Sequence, residues 1–198
     1  MRLFRSLSTN ASSVRLEGEK VFMRVPMERD WRDYAEIRAA SRKFLEPWEP
    51  TWPSDALSRD AFYRRMNRYT SDWRNDTGYS MFLFDQESTA LVGGISLSNV
   101  RRGVALCGTL GYWMGETHAG KGYMHEGLRL MLRFAFDELM LHRTEAACLP
   151  HNEASRNLLL GCGFSQDGHA KKYLKIRGVW QDHLLFSLLS EDFPVDSE

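Results

Sequence analysis

The sequence predicts a mixed α+β domain, in which about four helices pack on the faces of a single seven-stranded mixed sheet. Three observations support this fold class. The middle of the chain holds three apolar segments separated by turn residues, which predicts an antiparallel meander. Helices and strands then alternate, and two extended segments around Arg177 and Gly178 predict a closing hairpin. The meander is predicted at 80–84, 90–99 and 105–114, and the hairpin at 170–176 and 179–188.

The chain is expected to form one domain with short tails. At 198 residues it has the length of an ordinary single domain that buries a substantial core. We expect residues 1–12 to form a flexible tail, 13–190 to form the domain, and 191–198 to form a second tail. The domain begins with alternating apolar residues at 14–27, which predict extended structure with a turn at Gly18.

Two helices and a proline-rich loop follow the extended start. Residues 29–44 predict a helix because their apolar side chains fall on one face, and the three prolines within 44–53 end it. Residues 54–74 predict a second helix, which Ser54 or Asp55 would cap. The elements after the meander are predicted as helix 122–140, strand 143–149 and helix 152–162.

The charge balance and the cysteines limit the classes of function. Lys plus Arg and Asp plus Glu each number 26, so no net field attracts nucleic acid or a membrane surface. No apolar run is long enough to span a bilayer, and Arg2 and Arg5 lack the apolar segment of a secretory signal. Cys107, Cys148 and Cys162 lack CxxC spacing, which predicts buried thiols in a reducing compartment. We therefore expect a cytoplasmic protein with no metal site and no membrane or DNA partner.

A turn containing two glycines just before helix 122–140 is the most informative local feature. Gly120, Lys121 and Gly122 stand where that helix begins, and glycines let a backbone approach a ligand closely. The first N–H groups of a helix have no intrahelical partner, and the helix dipole adds partial positive charge there. The turn therefore predicts a phosphate site, although a turn without any ligand has the same composition.

Common nucleotide and zinc motifs do not match this turn. A Walker loop needs Ser or Thr after its lysine, whereas Gly122 follows Lys121. A dinucleotide fingerprint needs a third glycine where His125 stands. The zinc motif HExxH needs a second histidine where Arg129 stands. Nucleotide hydrolysis, Rossmann redox chemistry and zinc hydrolysis are therefore disfavoured.

Several segments, in their order along the chain, resemble the GNAT family of N-acetyltransferases and its RimJ/RimL branch, with the RimJ enzymes fitting best. The glycine turn resembles the family's Q/R-x-x-G-x-G/A loop at both glycines, with Thr117 where the family carries Gln or Arg. The resemblance covers about 14–190 and implies a GNAT fold, whose sheet is splayed between its fourth and fifth strands. The other matching segments are 45–50 (LEPWEP), 94–97 (GISL), 150–155 (PHNEAS), 163–164 (GF), 168–174 (GHAKKYL) and 178–183 (GVWQDH).

The resemblance implies acetyl-CoA as cosubstrate and no metal. The backbone of 117–122 together with Tyr123 would hold the pyrophosphate, and the peptide-like pantetheine would lie beside residues 112–114. Asn152 would either cap the next helix or bind the pantetheine. The expected cofactor-binding residues are Tyr112, Trp113, Met114, Thr117, His118, Ala119, Gly120, Lys121, Gly122, Tyr123, Asn152 and Ser155.

The resemblance also implies candidate catalytic residues. Ser155 takes the place of a serine that faces the CoA thiolate in RimL enzymes, whereas the tyrosine donor of other relatives is replaced by Leu159. The glutamate base of RimL enzymes is replaced by Leu174. The base candidates are Glu46, Glu49 and Asp182. A dedicated base is not required for an α-amine, since its pKa of about 8 leaves about a tenth neutral at pH 7, against about 0.04% for a lysine.

The acceptor pocket is expected between loop 44–53 and hairpin 170–182. Its predicted lining residues are Trp48, Trp52, Tyr112 and Tyr173. The activity most consistent with the resemblance is acetylation of the N-terminal α-amine of a ribosomal protein, by direct attack in a ternary complex. A small amine such as an antibiotic, a polyamine or an amino acid is an alternative acceptor. A non-catalytic acetyl-CoA sensor is a third interpretation, which the replaced tyrosine and glutamate and Thr117 favour.

Predictions about partners are broad. The arginines of segment 55–74 either contact the ribosome transiently or form a solvated helix face, since aspartates are interleaved with them. Nothing in the sequence marks an interface, so a monomer and a homodimer are both consistent with it.

Overall fold

The computed structural model describes residues 14–193, which form one eight-stranded sheet with helices on both faces. The strands are β1 (Arg15–Glu17), β2 (Val21–Arg24), β3 (Tyr79–Asp85), β4 (Leu91–Arg101), β5 (Cys107–Met114), β6 (Arg143–Cys148), β7 (Ser165–Ile176) and β8 (Val179–Leu189). The α-helices are α1 (Trp31–Ala40), α2 (Arg42–Leu45), α3 (Arg59–Arg74), α4 (Tyr123–Arg133) and α5 (Glu153–Gly161). The strand order in the sheet is β1-β2-β3-β4-β5-β6-β8-β7, which confirms the predicted mixed α+β class.

The sheet has one strand more than the sequence predicted. Both extended pieces of 14–27 become strands, because β1 and β2 pair antiparallel across the turn at Gly18. The Gly18 N–H closes this turn by donating to the Val21 carbonyl at 2.9 Å. The strands predicted as fourth and fifth are therefore β5 and β6.

The sheet splays between β5 and β6, as the family resemblance implied. The two strands are parallel and pair over three residues each, from Cys107 opposite Arg143 to Thr109 opposite Glu145. Beyond that point β5 continues through 110–114 while β6 turns toward β8, with which it pairs along its whole length. We call the gap that opens beside 110–114 the wedge. The wedge leaves the β6-facing backbone of this segment without a neighbouring strand.

Alternating residues of β3 face two apolar clusters on opposite sides of the sheet. Leu83 belongs to the larger cluster and packs with Leu128 of α4, and both side chains are fully buried. Phe82 points to the other side, where its ring stacks on Tyr34 of α1 at 5.6 Å and lies 6.3 Å from Phe62 of α3. This alternation, with period two, places α4 on one face and α1 with α3 on the other.

Three predicted helices differ from the structure at their ends. The helix predicted at 122–140 is α-helical over Tyr123–Arg133 and continues as a π-helix over Phe134–Glu138. The helix predicted at 29–44 is divided at Ser41, which is buried and accepts a hydrogen bond from the Glu116 N–H at 2.9 Å. The helix predicted from residue 54 begins at Arg59, and Ser58 caps it by accepting from the Ala61 N–H at 3.1 Å. The proposed caps at Ser54 and Asp55 are therefore wrong, because the residues after the last proline form turns before the helix starts.

The C-terminal hairpin is longer than predicted, and the chain remains packed beyond it. β7 begins at Ser165 because residues 165–170 pair with β8, with register shifts between Gln166 and Gly168 and between Ala170 and Leu174. The boundary of the tail predicted at 191–198 falls before Phe193, whose buried ring lies 5.5 Å from the ring of Phe136. The tail predicted at 1–12 lies outside the described residues. Within 14–193, no helix has the length and apolar character needed to cross a membrane.

Candidate functional site

The glycine turn forms a cradle of backbone N–H groups at the start of α4. We call residues 117–123 the glycine cradle. Gly120 and Gly122 have φ of +75° and +83°, a left-handed conformation that glycine adopts without strain. Within the described part of the chain, no acceptor pairs with the N–H groups of 120–125. A Cβ atom placed on Gly120 would meet nothing within 4 Å, so the space beside these donors is open.

Two lysines add positive charge to the glycine cradle. Lys121 belongs to the turn itself, whereas Lys20 comes from the β1–β2 turn and places its Nζ 3.5 Å from the position that a Cβ of Gly122 would occupy. Burial and the Lys121 charge lower the pKa of His118, which therefore remains neutral at pH 7. Unpaired N–H donors, a helix N-terminus and ammonium groups together suit a pyrophosphate. The cradle thus fits acetyl-CoA.

The position of Lys20 depends on a carboxylate in the first turn of α4. Glu126 accepts a hydrogen bond from the Lys20 N–H at 3.0 Å and another from the Glu19 N–H. This contact joins the N-terminal hairpin to the helix whose first turn completes the cradle. The sequence analysis did not identify Lys20, because about a hundred residues separate it from the turn and no local pattern marks it.

A tyrosine and a serine meet across the wedge. The Tyr112 hydroxyl on β5 lies 2.6 Å from Ser155 Oγ in the first turn of α5, and either oxygen can donate. Asn152 caps α5, since its side chain accepts from the Ser155 N–H at 3.1 Å and so fixes the start of that helix. Burial raises the pKa of Tyr112 although the Ser155 hydrogen bond opposes this shift, so the phenol is protonated at neutral pH. The pair is a protonated hydroxyl network at the open edge of β5.

A cavity of about 370 Å³, within the size range of small-ligand sites, has Tyr112 among its lining residues. Its walls come from α1, the loop before α3, α3 itself and the strands β3 to β5. Of the predicted acceptor residues, Trp52 and Tyr112 line it. The lining side chains with polar or charged atoms are Tyr34, Arg38, Glu49, Thr51, Trp52, Arg65, Tyr69, Ser80, Ser96, Tyr112 and Trp113.

The other two predicted acceptor residues lie elsewhere. Trp48 packs near the His151 ring, with the ring centroids 5.5 Å apart. Tyr173 is 46% exposed on the hairpin, where its ring lies 5.8 Å from that of His183. The sequence analysis expected hairpin 170–182 to form one wall of the pocket. In the structure α3 contributes to the cavity wall, and no residue of that hairpin does.

The three candidate bases have different surroundings. Glu49 lines the cavity, and its carboxylate accepts from Arg38 at 2.8 and 2.6 Å and from Trp52 Nε1 at 2.7 Å. Glu46 forms a partly exposed ion pair with Arg42 at 2.6 Å. Glu49 therefore lies in the cavity wall, where Arg38 balances its negative charge. Glu46 lies outside the cavity wall.

The third candidate, Asp182, lies on the hairpin. It accepts from the Lys172 N–H at 2.9 Å and lies 3.1 Å from His169 Nε2. These contacts hold the irregular part of β7 against β8, and neither reaches the cavity wall. Among residues 14–193 no cluster of three or more His, Cys, Asp or Glu side chains has the arrangement of a metal site.

The Acetyltransferase (GNAT) domain family matches residues 20–165. The chain is 34% identical to the ribosomal protein uS5-alanine N-acetyltransferase of Escherichia coli (strain K12) over 186 residues, covering 93% of this chain and 95% of the relative. It is 32% identical to the probable N-acetyltransferase YjcK of Bacillus subtilis (strain 168) over 177 residues, covering 89% and 98%.

Solved structures of similar acetyltransferases have the same fold as this chain. RimJ of Mycobacterium smegmatis in complex with CoA-disulfide superposes with a TM-score of 0.87 at 27% identity, over 92% of this chain and 90% of that one. The ribosomal-protein-S5-alanine acetyltransferase of Vibrio fischeri superposes with a TM-score of 0.84 at 29% identity, over 92% of this chain and all of that one. With the glycine cradle, the splayed sheet and a family match over most of its length, the chain is a member of the GNAT family of acetyltransferases.

Proposed function

We propose that this acetyl-CoA-dependent N-acetyltransferase acetylates the N-terminal α-amine of a protein, and that a ribosomal protein is the acceptor. The observation that carries the proposal is the Tyr112–Ser155 pair at the open edge of β5, since Tyr112 is also one of the residues that line the acceptor cavity. The relatives at 34% identity that act on the alanine of ribosomal protein uS5 support the choice of acceptor.

Acetyl-CoA supplies an activated acyl group, and the chain supplies binding and orientation. The N–H groups of the glycine cradle and the ammonium groups of Lys20 and Lys121 bind the pyrophosphate. The free edge of β5 at 110–114 offers carbonyl and N–H groups to the amide-rich pantetheine, as a strand offers them to an added peptide. This arrangement directs the thioester toward the wedge, beside Tyr112 and Ser155.

Ser155 is positioned to give a proton to the departing thiolate. Its hydroxyl is held by Tyr112, and the Tyr112 phenol remains protonated because burial raises its pKa. A proton that leaves Ser155 for the thiolate is replaced along the 2.6 Å hydrogen bond from Tyr112, and the proton that the attacking amine releases on forming the amide returns the pair to its protonated state. Tyr112 therefore acts as a positioning residue for Ser155, which contacts the leaving group.

The cavity favours an acceptor that is neutral before it reacts. Glu49 is bound by Arg38 and Trp52, so it is a poor proton acceptor in this arrangement. The lining side chains include two guanidinium groups and one carboxylate, a net charge of +1, and a positive environment lowers the pKa of a bound amine. An α-amine with a free pKa of about 8 becomes neutral in such a site far more readily than a lysine of pKa about 10.4.

Thiol release tests the proposal directly. The protein would be mixed with acetyl-CoA and peptides that begin with Ala, Ser or Met, and free CoA would be followed with a thiol-reactive dye. The same peptides with a blocked N-terminus and an internal lysine are the matched control. We expect release with free N-termini and none with blocked peptides. Release only with polyamines or other small amines would replace the protein acceptor, and tight acetyl-CoA binding without any release would leave a sensor.

Two variants connect turnover to the wedge. Ser155→Ala should lower kcat about a hundredfold through loss of the proton donor, with the KM for acetyl-CoA nearly unchanged. Tyr112→Phe should lower kcat about tenfold, because Ser155 loses its partner but keeps its hydroxyl. Tyr63→Phe on α3 removes a hydroxyl outside the cavity wall and should leave kcat unchanged. Equal kcat in Ser155→Ala and the unaltered protein would contradict the assignment.

We also propose that the protein works in the cytoplasm, where ribosomal proteins are made. A transient ribosome contact is consistent with that location.

A further inference from the structure

Arg65 is a half-buried guanidinium in the wall of the acceptor cavity. It projects from α3, its Cζ lies 5.5 Å from the centre of the Tyr34 ring, and its side chain hydrogen-bonds to Tyr69. Tyr34 and Tyr69 also line the cavity, so the two aromatic side chains fix the guanidinium at the cavity surface. A guanidinium is protonated at every physiological pH, so Arg65 carries a permanent charge there.

The charge of Arg65 has no close counterpart in the cavity. Arg38 is matched by Glu49 through two hydrogen bonds of 2.8 and 2.6 Å. Glu49 acts on Arg65 through space, yet its oxygens are already taken by Arg38 and Trp52. Within residues 14–193 no carboxylate lies within ion-pair distance of Arg65. The charges of Arg38 and Glu49 balance each other, so the positive charge of Arg65 remains in the cavity wall.

Neighbouring arginines of the same helix differ from Arg65 in position. Arg64 is exposed and paired with Asp55 at 2.5 Å, and Arg68 is exposed with its Cζ 5.8 Å from the Tyr69 ring. Neither lines the cavity. The helix therefore presents a solvated arginine face, as the sequence analysis considered, together with a single arginine turned toward the acceptor.

An unmatched guanidinium in a confined cavity favours an anion with planar geometry. Carboxylates meet guanidinium groups through two parallel N–H···O bonds, and partial burial strengthens such charge-assisted bonds. The same positive charge repels the ammonium form of an acceptor that carries no anion. Arg65 therefore favours acceptors with a carboxylate and disfavours cationic acceptors without one. Tyr69 and Tyr34 restrict the side chain, which reduces the entropy lost when it binds a ligand.

We propose that Arg65 selects acceptors in which a carboxylate lies close to the reacting amine. This inference rests on the proposed function and adds its specificity: the preferred protein N-terminus carries an acidic side chain within its first few residues. The same carboxylate chemistry could come from the main chain of a free amino acid or dipeptide, and the experiment separates the two sources.

The test compares kcat/KM for matched acceptors. One series is a neutral peptide with an amidated C-terminus, in which Glu replaces Gln in turn at the second, third and fourth positions. The other series pairs amino acids and dipeptides with their own amides. For the unaltered protein we expect at least one Glu peptide to exceed its Gln partner by about tenfold to a hundredfold, the range for a charge-assisted hydrogen bond.

Variants assign that preference to Arg65. Arg65→Gln should reduce the Glu/Gln ratio to about one. The neutral peptide should also react more slowly, because the net positive charge of the cavity is lost, so the ratio is the readout and the absolute rate is not. Arg65→Glu should invert the preference and favour a Lys-containing peptide. Arg68→Gln removes an arginine from the same helix outside the cavity, and it should keep the full Glu/Gln ratio.

The outcomes separate the two proposals. Equal rates on Glu and Gln peptides with the unaltered protein, or a ratio unchanged in Arg65→Gln, would refute the role of Arg65 while leaving N-terminal acetylation intact. Acetylation of amino acids but not of their amides or of any peptide would support carboxylate selection and refute the protein acceptor. No acetylation in either series would refute both.

Discussion

Glu46 and Glu49 stand three residues apart in the same loop, yet their carboxylates differ in burial and in the number of bonds they accept. The Arg42 and Glu46 side chains are 57% and 33% exposed, whereas those of Arg38 and Glu49 are 9% and 21% exposed. An exposed ion pair contributes little because water solvates both ions well when they are apart. A buried pair costs much to break, because the remaining ion is left in a poorly solvated place.

Glu49→Gln should therefore destabilise the fold strongly. We expect the free energy of unfolding to fall by about 3 kcal/mol, because Arg38 would keep its charge inside the structure without a carboxylate. Thermal and denaturant unfolding would measure the change. A loss of this size would mean that Glu49 maintains the structure of the cavity wall.

Glu46→Gln is the matched control, since it makes the same chemical change in an exposed pair. Its expected cost is about 0.5 kcal/mol or less. Similar costs for both variants would show that the Arg38–Glu49 pair is solvated in solution. A stable Glu49→Gln protein that had lost turnover with a changed pH profile would instead support Glu49 as the base.

Single residues with a local signal were predictable, and those defined by tertiary proximity were not. Asn152 stands before a helix, which is where a cap is expected, and it does cap α5. The family pattern implies a catalytic role for Ser155, which stays a prediction. Lys20 and Arg65 carry no such signal, because their positions in the site depend on strands and helices that come together only in the fold. Trp48 and Trp52 show the same limit, since both flank prolines and one of them lines the cavity.

At the scale of elements, the glycine cradle combines a left-handed backbone conformation with the candidate phosphate site. Gly122 directly precedes α4 and adopts φ of +83°, which costs a residue with a side chain about 1–2 kcal/mol. Gly103 adopts φ of +66° in the turn between β4 and β5, where a Cβ would meet nothing within 4 Å. A side chain would therefore meet the same conformational cost at either glycine, but only Gly122 lies beside the candidate phosphate site.

Gly122→Ala should weaken CoA binding about tenfold and destabilise the fold by about 1–2 kcal/mol. The added methyl group would lie 3.5 Å from Lys20 Nζ, and the strain would turn the neighbouring N–H groups away from a bound anion. Calorimetric titration with CoA and thermal unfolding would measure both effects.

Gly103→Ala separates strain from binding. It should show a similar loss of stability with CoA affinity unchanged, because its turn is remote from the cradle. If Gly122→Ala bound CoA as tightly as Gly103→Ala does, the phosphate role of the cradle would be wrong.

Elements with clear periodicity were predicted well, and their ends less so. The meander, the start of α4, β6 and α5 follow from alternation or helical spacing of apolar residues, whereas the change to a π-helix after Arg133 was not predicted. The division at Ser41 could not be predicted, because it reflects a hydrogen bond to the distant Glu116. The start of α3 was predicted five residues early, since Ser54 and Ser58 are equally plausible caps when only sequence is considered.

At the scale of the whole molecule, all three cysteines are buried. Cys107, Cys148 and Cys162 are 2%, 4% and 1% exposed. Burial raises the pKa of Cys162 to about 11, so at pH 8 roughly one thiol in a thousand is ionised. Burial also raises the pKa of Cys148, although a hydrogen bond with Ser155 opposes the shift.

The native protein should therefore react slowly with a thiol-reactive dye at pH 8. We expect no fast phase without denaturant, and three thiols per chain once guanidinium has unfolded the protein. Thr70→Cys, which places a thiol on the exposed face of α3, is the positive control and should add one fast thiol. A fast thiol in the unaltered protein would mean that at least one of the three buried cysteines becomes exposed in solution.

The bond between the Lys20 N–H and Glu126 also has a consequence for biosynthesis. The two residues are 106 positions apart in the chain. At about 5–20 residues per second, a ribosome adds Glu126 about 5–20 s after Lys20. During that interval the nascent hairpin has neither α4 to dock on nor a carboxylate to bind its turn. The N-terminal hairpin thus cannot reach its final place until α4 has been made, and the CoA site cannot be completed before Glu126 has been added.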